Sequence, residues 1–171
     1  MDITTSTPPN TESVCTLGSV AQASGQLRIT LVYADREEVV VDEKNVISLQ
    51  GKQRLLQTLY AVQTGSSTIT NLYVGTGGTV DPEGRFPKPV NSSLTNLFGP
   101  LTSVPVTYTL LETYPSITYI ADIDPTLCNG SIISEAGLFF SDDVMFNIKT
   151  FPGIPKTVDF SIHFEWTVKI S

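Results

Sequence analysis

The chain has 171 residues, which is enough for one domain, and it carries a formal net charge of −7. That acidic balance excludes nucleic acid and anionic membranes as expected partners, because both attract basic surfaces. Only 16% of the residues are charged, and 40% are apolar. The charged fraction is low for a soluble domain, which indicates a surface partly covered by other proteins.

The first residues differ in composition from the rest. Residues 1–14 (MDITTSTPPNTESV) are rich in Thr, Ser and Pro and are nearly free of large apolar groups. Such a segment buries too little apolar surface to offset its conformational entropy. It is predicted to be a flexible N-terminal arm, which is either plainly disordered or orders only on a neighbour. Residues 15–171 are predicted to form a single domain.

Two different periods follow the arm. Residues 27–33 (LRITLVY) alternate apolar and polar side chains, which predicts a half-buried strand. Residues 39–41 continue or pair with this strand after an acidic turn. Across residues 48–62 the apolar side chains recur at helical spacing instead, and Ser48 is a suitable N-cap. One helix is therefore predicted here.

The middle of the chain predicts strands separated by turns. Residues 69–75 form a short buried strand that runs into a glycine-rich turn at residues 75–79, and residues 81–100 are a turn-rich surface excursion. Residues 151–156 (FPGIPK) are a Pro-rich bridge to the last strand. The other predicted strands lie at residues 104–111, 114–121, 132–140 and 144–149.

The last strand has the clearest pattern. Residues 160–170 read FSIHFEWTVKI, with apolar side chains on one face and polar side chains on the other. This strand contains Trp166, the only tryptophan of the chain, and the pattern places it in the core. About seven or eight short strands with frequent turns and one helix predict a mainly β fold, an antiparallel β-sandwich.

No catalytic set emerges from the residue types. His163 is the only histidine and lies in mid-strand, whereas catalytic groups usually lie on loops or strand ends. The turn at residues 75–79 lacks the Lys and hydroxyl residue of a phosphate-binding loop. No pair of cysteines has metal-ligand spacing. The chain is therefore predicted not to be an enzyme and to hold no cofactor or metal.

Three further features have more than one interpretation. Cys15 and Cys128 are far apart and do not form a disulfide framework, but a single bridge between them stays open. The chain has no apolar run of about 18 residues and no signal peptide at its start, so a reducing compartment is expected. Tyrosines in the central strands could form a sugar-binding face or could simply pack across strands: Tyr108, Tyr114 and Tyr119.

Three blocks follow one another in a distinctive order. They are the helix region at residues 45–60 with LYVGTG at 72–77, then SEAGLF at 134–139, then MF at 145–146, KTFP at 149–152, Ile154, Lys156, Thr157 and FEWTV at 164–168. In this order, over residues 45–170, they resemble small structural proteins of tailed bacteriophages that are found at the tail, baseplate, neck or fibre-attachment site. One departure is that Asn147, Ile148 and Lys149 stand where an Ala-Arg pair is common in that class.

The resemblance implies a non-enzymatic virion protein. It would assemble as an oligomer with other virion proteins in the tail, baseplate or neck, or anchor fibres, after synthesis in the host cytoplasm. Two alternatives are a capsid decoration or head-fibre protein and a carbohydrate-binding β-sandwich module that recognises a host-surface glycan. The candidate core and assembly residues within the blocks are Trp166, Phe164, Phe151, Pro152, Glu135, Gly137 and Phe139.

Overall fold

The structure is a computed structural model, and it describes residues 23–59, 68–111 and 115–170. The predicted N-terminal arm, Cys15 and Tyr114 lie outside these ranges. The described elements are β1 (Ala23–Tyr33), β2 (Glu37–Ile47), α1 (Leu49–Leu59), β3 (Ile69–Gly75), β4 (Pro100–Pro105), β5 (Thr107–Leu111), β6 (Ser116–Ile123), β7 (Ile132–Phe140), β8 (Asn147–Pro155) and β9 (Phe160–Ile170). The prediction of a mainly β fold with one helix is confirmed for this part of the chain.

All the strand pairings are antiparallel, and the strands form one nine-stranded sheet in the order β4-β3-β7-β8-β2-β1-β9-β6-β5. The sheet is nearly barrel-shaped, and the predicted β-sandwich is not confirmed. The thinnest seam joins β2 to β8, where Val46 pairs with Ile148 and Ile47 pairs with Asn147. An ion pair between Glu43 and Lys149 lies at the same seam.

The two edge strands of the sheet are consecutive in the chain. β4 ends at Pro105 and β5 begins at Thr107, and the Val106 N–H between them donates to the Thr70 carbonyl at 3.0 Å. The prediction of one strand over residues 104–111 was therefore wrong, because the chain bends there and its halves pair with different neighbours. Pro105 fits this bend, since it has no N–H to contribute to a continuous ladder.

The segment predicted as a Pro-rich bridge belongs to a strand. Residues 151–155 form the second half of β8, which pairs with β7 up to the Ile132–Pro155 pair. Proline is tolerated there because the register shifts opposite Pro152, and because the described pairing of β8 with β2 involves only Asn147 and Ile148. The prediction of a bridge was wrong because it treated proline as incompatible with a strand.

The start of α1 is fixed as the sequence predicts. The Gly51 N–H donates to the Ser48 Oγ at 2.9 Å, which is the N-cap hydrogen bond. Ser48 is fully buried, and its hydroxyl donates in turn to the Met145 carbonyl at 2.7 Å. Its own N–H donates to the Phe146 carbonyl at 3.0 Å. The cap therefore also attaches the helix to the chain that enters β8.

The last strand is the central one of the five neighbouring strands β2, β1, β9, β6 and β5. β9 lies between β1 and β6, and Trp166 faces Leu27 on one neighbour and Tyr119 on the other. Its burial alternates from Phe160 to Val168, as the sequence predicts, and Trp166 is only 1% exposed. The pattern ends at Ile170, which is 44% exposed.

Truncation of Trp166 tests how much of the stability depends on this strand. We expect Trp166→Ala to lower the free energy of unfolding by about 3–5 kcal/mol, because it leaves a large cavity in the core. Trp166→Phe should lose less, since the indole Nε1 has no hydrogen-bond partner among the described residues. Urea titration measures both. Ile170→Ala is the matched control, and an equal loss there would contradict the assignment of Trp166 as a core anchor.

Candidate functional site

The structure places most of the candidate residues in the interior. Only Pro152 lies at the surface. The buried candidates are Trp166, Phe164, Phe151, Glu135, Gly137 and Phe139. They therefore build the protein's own body, and any contact surface has to be sought in other residues.

Glu135 is the exception in chemistry, because it is a fully buried carboxylate. Its Oε1 accepts hydrogen bonds from the Gly77 N–H at 3.0 Å and from the Gly99 N–H at 2.7 Å. Its Oε2 accepts one from the Phe98 N–H at 2.8 Å. Next to it, the Ser134 hydroxyl accepts a hydrogen bond from the Gly78 N–H at 2.9 Å. These two side chains thus bind both the glycine-rich turn after β3 and the chain that enters β4.

The glycines of that turn are required by close approach. A Cβ on Gly75 would lie 2.5 Å from the Glu135 Oε1, and a Cβ on Gly78 would lie 2.1 Å from the Ser134 carbonyl oxygen. No side chain fits at either distance. The turn ends β3, as the sequence predicts, and its glycines allow it to pack closely against β7.

His163 lies on the outer face of the sheet and pairs with Asp122, with its Nδ1 2.7 Å from the Asp122 Oδ1. Both line a polar hollow of about 720 Å³ together with Ser161 and Arg28. Within the described ranges, no hydrogen bond between Ser161 and His163 is found, and the side-chain polar partner of the histidine is the Asp122 carboxylate. The arrangement is a cross-strand polar pair.

Lys156 is a buried cation that the sequence analysis missed. It is 1% exposed, and its Nζ donates to the Thr157 carbonyl at 2.6 Å, the Asn129 Oδ1 at 3.2 Å and the Pro125 carbonyl at 3.3 Å. Burial lowers the pKa of this ammonium group, and the negative charge of Asp124 nearby opposes that shift. Lys156 therefore fixes the turn between β6 and β7. Its position in a Pro-rich stretch gave no signal of burial.

Exposed apolar side chains lie on the excursion between β3 and β4 and at the start of β4. We call Val80, Phe86, Phe98 and Leu101 the loop patch; their exposed fractions are 63%, 58%, 40% and 45%. The Val80 N–H donates to the Phe86 carbonyl at 2.9 Å. The Phe98 N–H donates to the Glu135 Oε2. The patch is thus carried by well-fixed chain, and it is a candidate contact surface.

The tyrosines are divided by the structure. Tyr108 of β5 is 60% exposed and Tyr119 of β6 is half-buried, with their ring centres 6.4 Å apart. Burial raises the pKa of Tyr119 to about 12. The two residues are a cross-strand pair with tilted rings, and the third tyrosine lies outside the described residues.

Comparisons place no known protein beside this chain. No protein-family model, no curated protein and no solved structure matches it significantly. Among the described residues, no helix is long and apolar enough to cross a membrane. The same residues contain no cluster of histidine, cysteine and acidic side chains that could hold a metal ion.

Glu135 provides a second stability test. We expect Glu135→Gln to lower the free energy of unfolding by about 2–3 kcal/mol, because the amide nitrogen would face backbone donors in a buried site. Urea titration measures the change. Glu83→Gln is the control, since Glu83 is exposed and contacts only Arg85 at 3.4 Å among its described polar contacts. Equal effects would contradict the role of Glu135.

The lowered pKa of Lys156 gives a pH test. Between that lowered pKa and the ordinary lysine value, the unfolded chain binds more protons than the folded chain, so the contribution of Lys156 to stability becomes more favourable as pH rises. We expect the difference in unfolding free energy between the natural chain and Lys156→Met to increase from pH 7 to pH 10. All other titrating groups are common to both chains. A constant difference would contradict the prediction.

Proposed function

We propose that the chain is a non-enzymatic structural protein of a tailed-bacteriophage particle, assembled as an oligomer in the tail, baseplate or neck or as an anchor for fibres. The carrying observation is that the three sequence blocks of the resemblance meet in one unit. Glu135 of the second block binds Gly77 of the first block. Met145 of the third block accepts the hydrogen bond from Ser48 at the start of the helix.

This convergence supports the proposal because the blocks are far apart in sequence. β3, β7 and β8 are neighbours in the sheet, and α1 is capped against the residues before β8. An ordered resemblance whose parts also contact one another is better explained by a shared structural unit than by separate chance matches. The unit is held by backbone hydrogen bonds and buried aromatic residues, which suits a part that has to keep its shape.

The loop patch supports an assembly role. Its apolar side chains are solvent-exposed on a segment that is fixed by Glu135 and by the Phe86–Val80 hydrogen bond. Exposed apolar groups on rigid chain are typical of surfaces that meet other proteins. The same surface suits a capsid decoration or head-fibre protein, which would make the same kind of contact on the head of the particle.

Recognition of a host glycan is a second candidate function, and the exposed Tyr108 beside Tyr119 is the observation that favours it.

We also propose that the barrel is flattened into two layers, as in a sandwich. That proposal is supported by the short β2–β8 seam, whose described pairing involves only Ile47 and its neighbour Val46.

The test of the main proposal uses virus particles. Particles purified from cells that carry the gene should contain the chain at a fixed ratio to the capsid protein, and antibodies against it should label the tail or neck in electron micrographs. Labelling of the head would favour the decoration alternative. A chain found only in the cell lysate, with none in banded particles, would contradict the proposal.

A variant connects the loop patch to assembly. We expect Phe86→Asp to reduce the amount of chain in particles at least tenfold while its circular dichroism spectrum stays unchanged, because a charge in the patch disfavours burial against a partner. Val158→Asp is the matched control, since Val158 is 66% exposed and lies outside the patch. Equal incorporation of the two variants would exclude the patch as an assembly surface.

A further inference from the structure

One end of the barrel leaves part of the hydrophobic core open. A cleft of about 320 Å³ there is bounded by Leu55 of α1, Ile69 of β3 and Ile117 of β6. Its lining also includes Phe140 and Phe146, which are buried members of the main core. The cleft is therefore a continuation of the core to the surface, and its lining is mostly apolar.

The rim of this cleft exposes large apolar side chains to solvent. Leu110 of β5 is 64% exposed and Ile170 of β9 is 44% exposed, although both line the cleft. The side chains of residues 107–110 are exposed on both faces of β5, and within the described ranges β5 pairs only with β6. β5 contains no charged residue, whereas natural proteins usually protect such an edge with charge, proline or a covering segment.

β1 begins at this same end of the sheet. Ala23, the first described residue, pairs with Ile170 on the rim of the cleft. Residues 14–22 read VCTLGSVAQ and carry Val14, Leu17 and Val20, whereas the residues before them are mostly polar. Fully extended chain advances about 3.3 Å per residue, so residues 14–22 can reach about 30 Å.

We propose that residues 14–22 of one copy dock in the cleft of a second copy, where they add a strand to the edge of β5 and cover Leu110 and Ile170. β1 begins at Ala23, opposite Ile170 near the end of β9. A segment that continued the line of β1 would have to turn back to enter its own cleft, and it would enter the cleft of a copy placed end to end without that turn. Exchange of such segments is a common route to oligomers.

The inference rests on the proposed function for its second copy, and it names the contact through which the copies would associate. Burial of the apolar side chains of the segment against Leu110 supplies the driving force, and hydrogen bonds to the β5 backbone fix the register. Neither partner places a charge in the contact, because residues 14–22 and 107–111 are both uncharged. The long-range repulsion between two acidic chains is thus kept outside the interface.

The natural Cys15 makes the contact testable by cross-linking. In a Cys128→Ser background, Leu110→Cys places a thiol in the cleft, and mild oxidation should join it to Cys15 of another copy. We expect a reducible dimer on a denaturing gel at least five times more abundant than with Thr109→Cys. Thr109 is the matched control because it is exposed and is adjacent on β5, so that its side chain faces the other side of the sheet.

Each result decides the question. A disulfide formed within one chain, seen as two lost thiols at the mass of a single chain, would overturn docking in a second copy. Equal cross-linking of the two cysteine variants would overturn the site itself. As a second measurement on the full chain, Leu17→Asp with Val20→Asp should abolish self-association in sedimentation, while Thr11→Asp should not. An unchanged oligomer with the double variant would also overturn the proposal.

The outcome is independent of the particle experiment. Cross-linking and sedimentation use the purified chain, so absence from virions would not change them. Conversely, if the chain enters particles but the Leu110→Cys variant does not cross-link, the structural role stays in place and only the contact of residues 14–22 is removed.

Discussion

The arrangement of β4, β3 and β7 depends on the hydrogen bonds that the buried carboxylate of Glu135 accepts. This carboxylate binds the turn that ends β3 and the amides that precede β4, and it projects from β7 between them. A carboxylate accepts several charge-assisted hydrogen bonds at once, which no apolar residue could replace. Without it, the partly buried N–H donors of Gly77 and Gly99 would lose their acceptor, and the long excursion between them would lose its attachment.

This arrangement separates the rigid parts of the molecule from the exposed ones. The candidate residues of the three sequence blocks lie mostly inside, where they fix the sheet. The surfaces open to a partner are the loop patch, held in place by that interior, and the cleft beside β5. Assembly through fixed surfaces requires little reordering on contact, which lowers the entropic cost of association.

Much of the fold follows from local patterns, and the errors have a common cause. The period-two pattern of β9 and the cap at Ser48 were predicted correctly, because each depends on neighbours in sequence. The bend at Pro105 was missed because alternation continues through it. The contacts of Glu135 were missed because its partners are 36 to 58 residues away. Lys156 was missed because burial of a cation depends on carbonyl groups that only the folded chain brings together.

The position of β9 has a consequence for how the protein is made. Among the described strands, β1 and β6 are joined only through β9, which is synthesised after all the others. Until it is made, both strands present open edges, and the tryptophan that fills the space between them is missing. Pairing between strands that are far apart in sequence is slow to form. A chain that stops before β9 therefore cannot join β1 to β6, and this part of the sheet can close only after β9 has been synthesised.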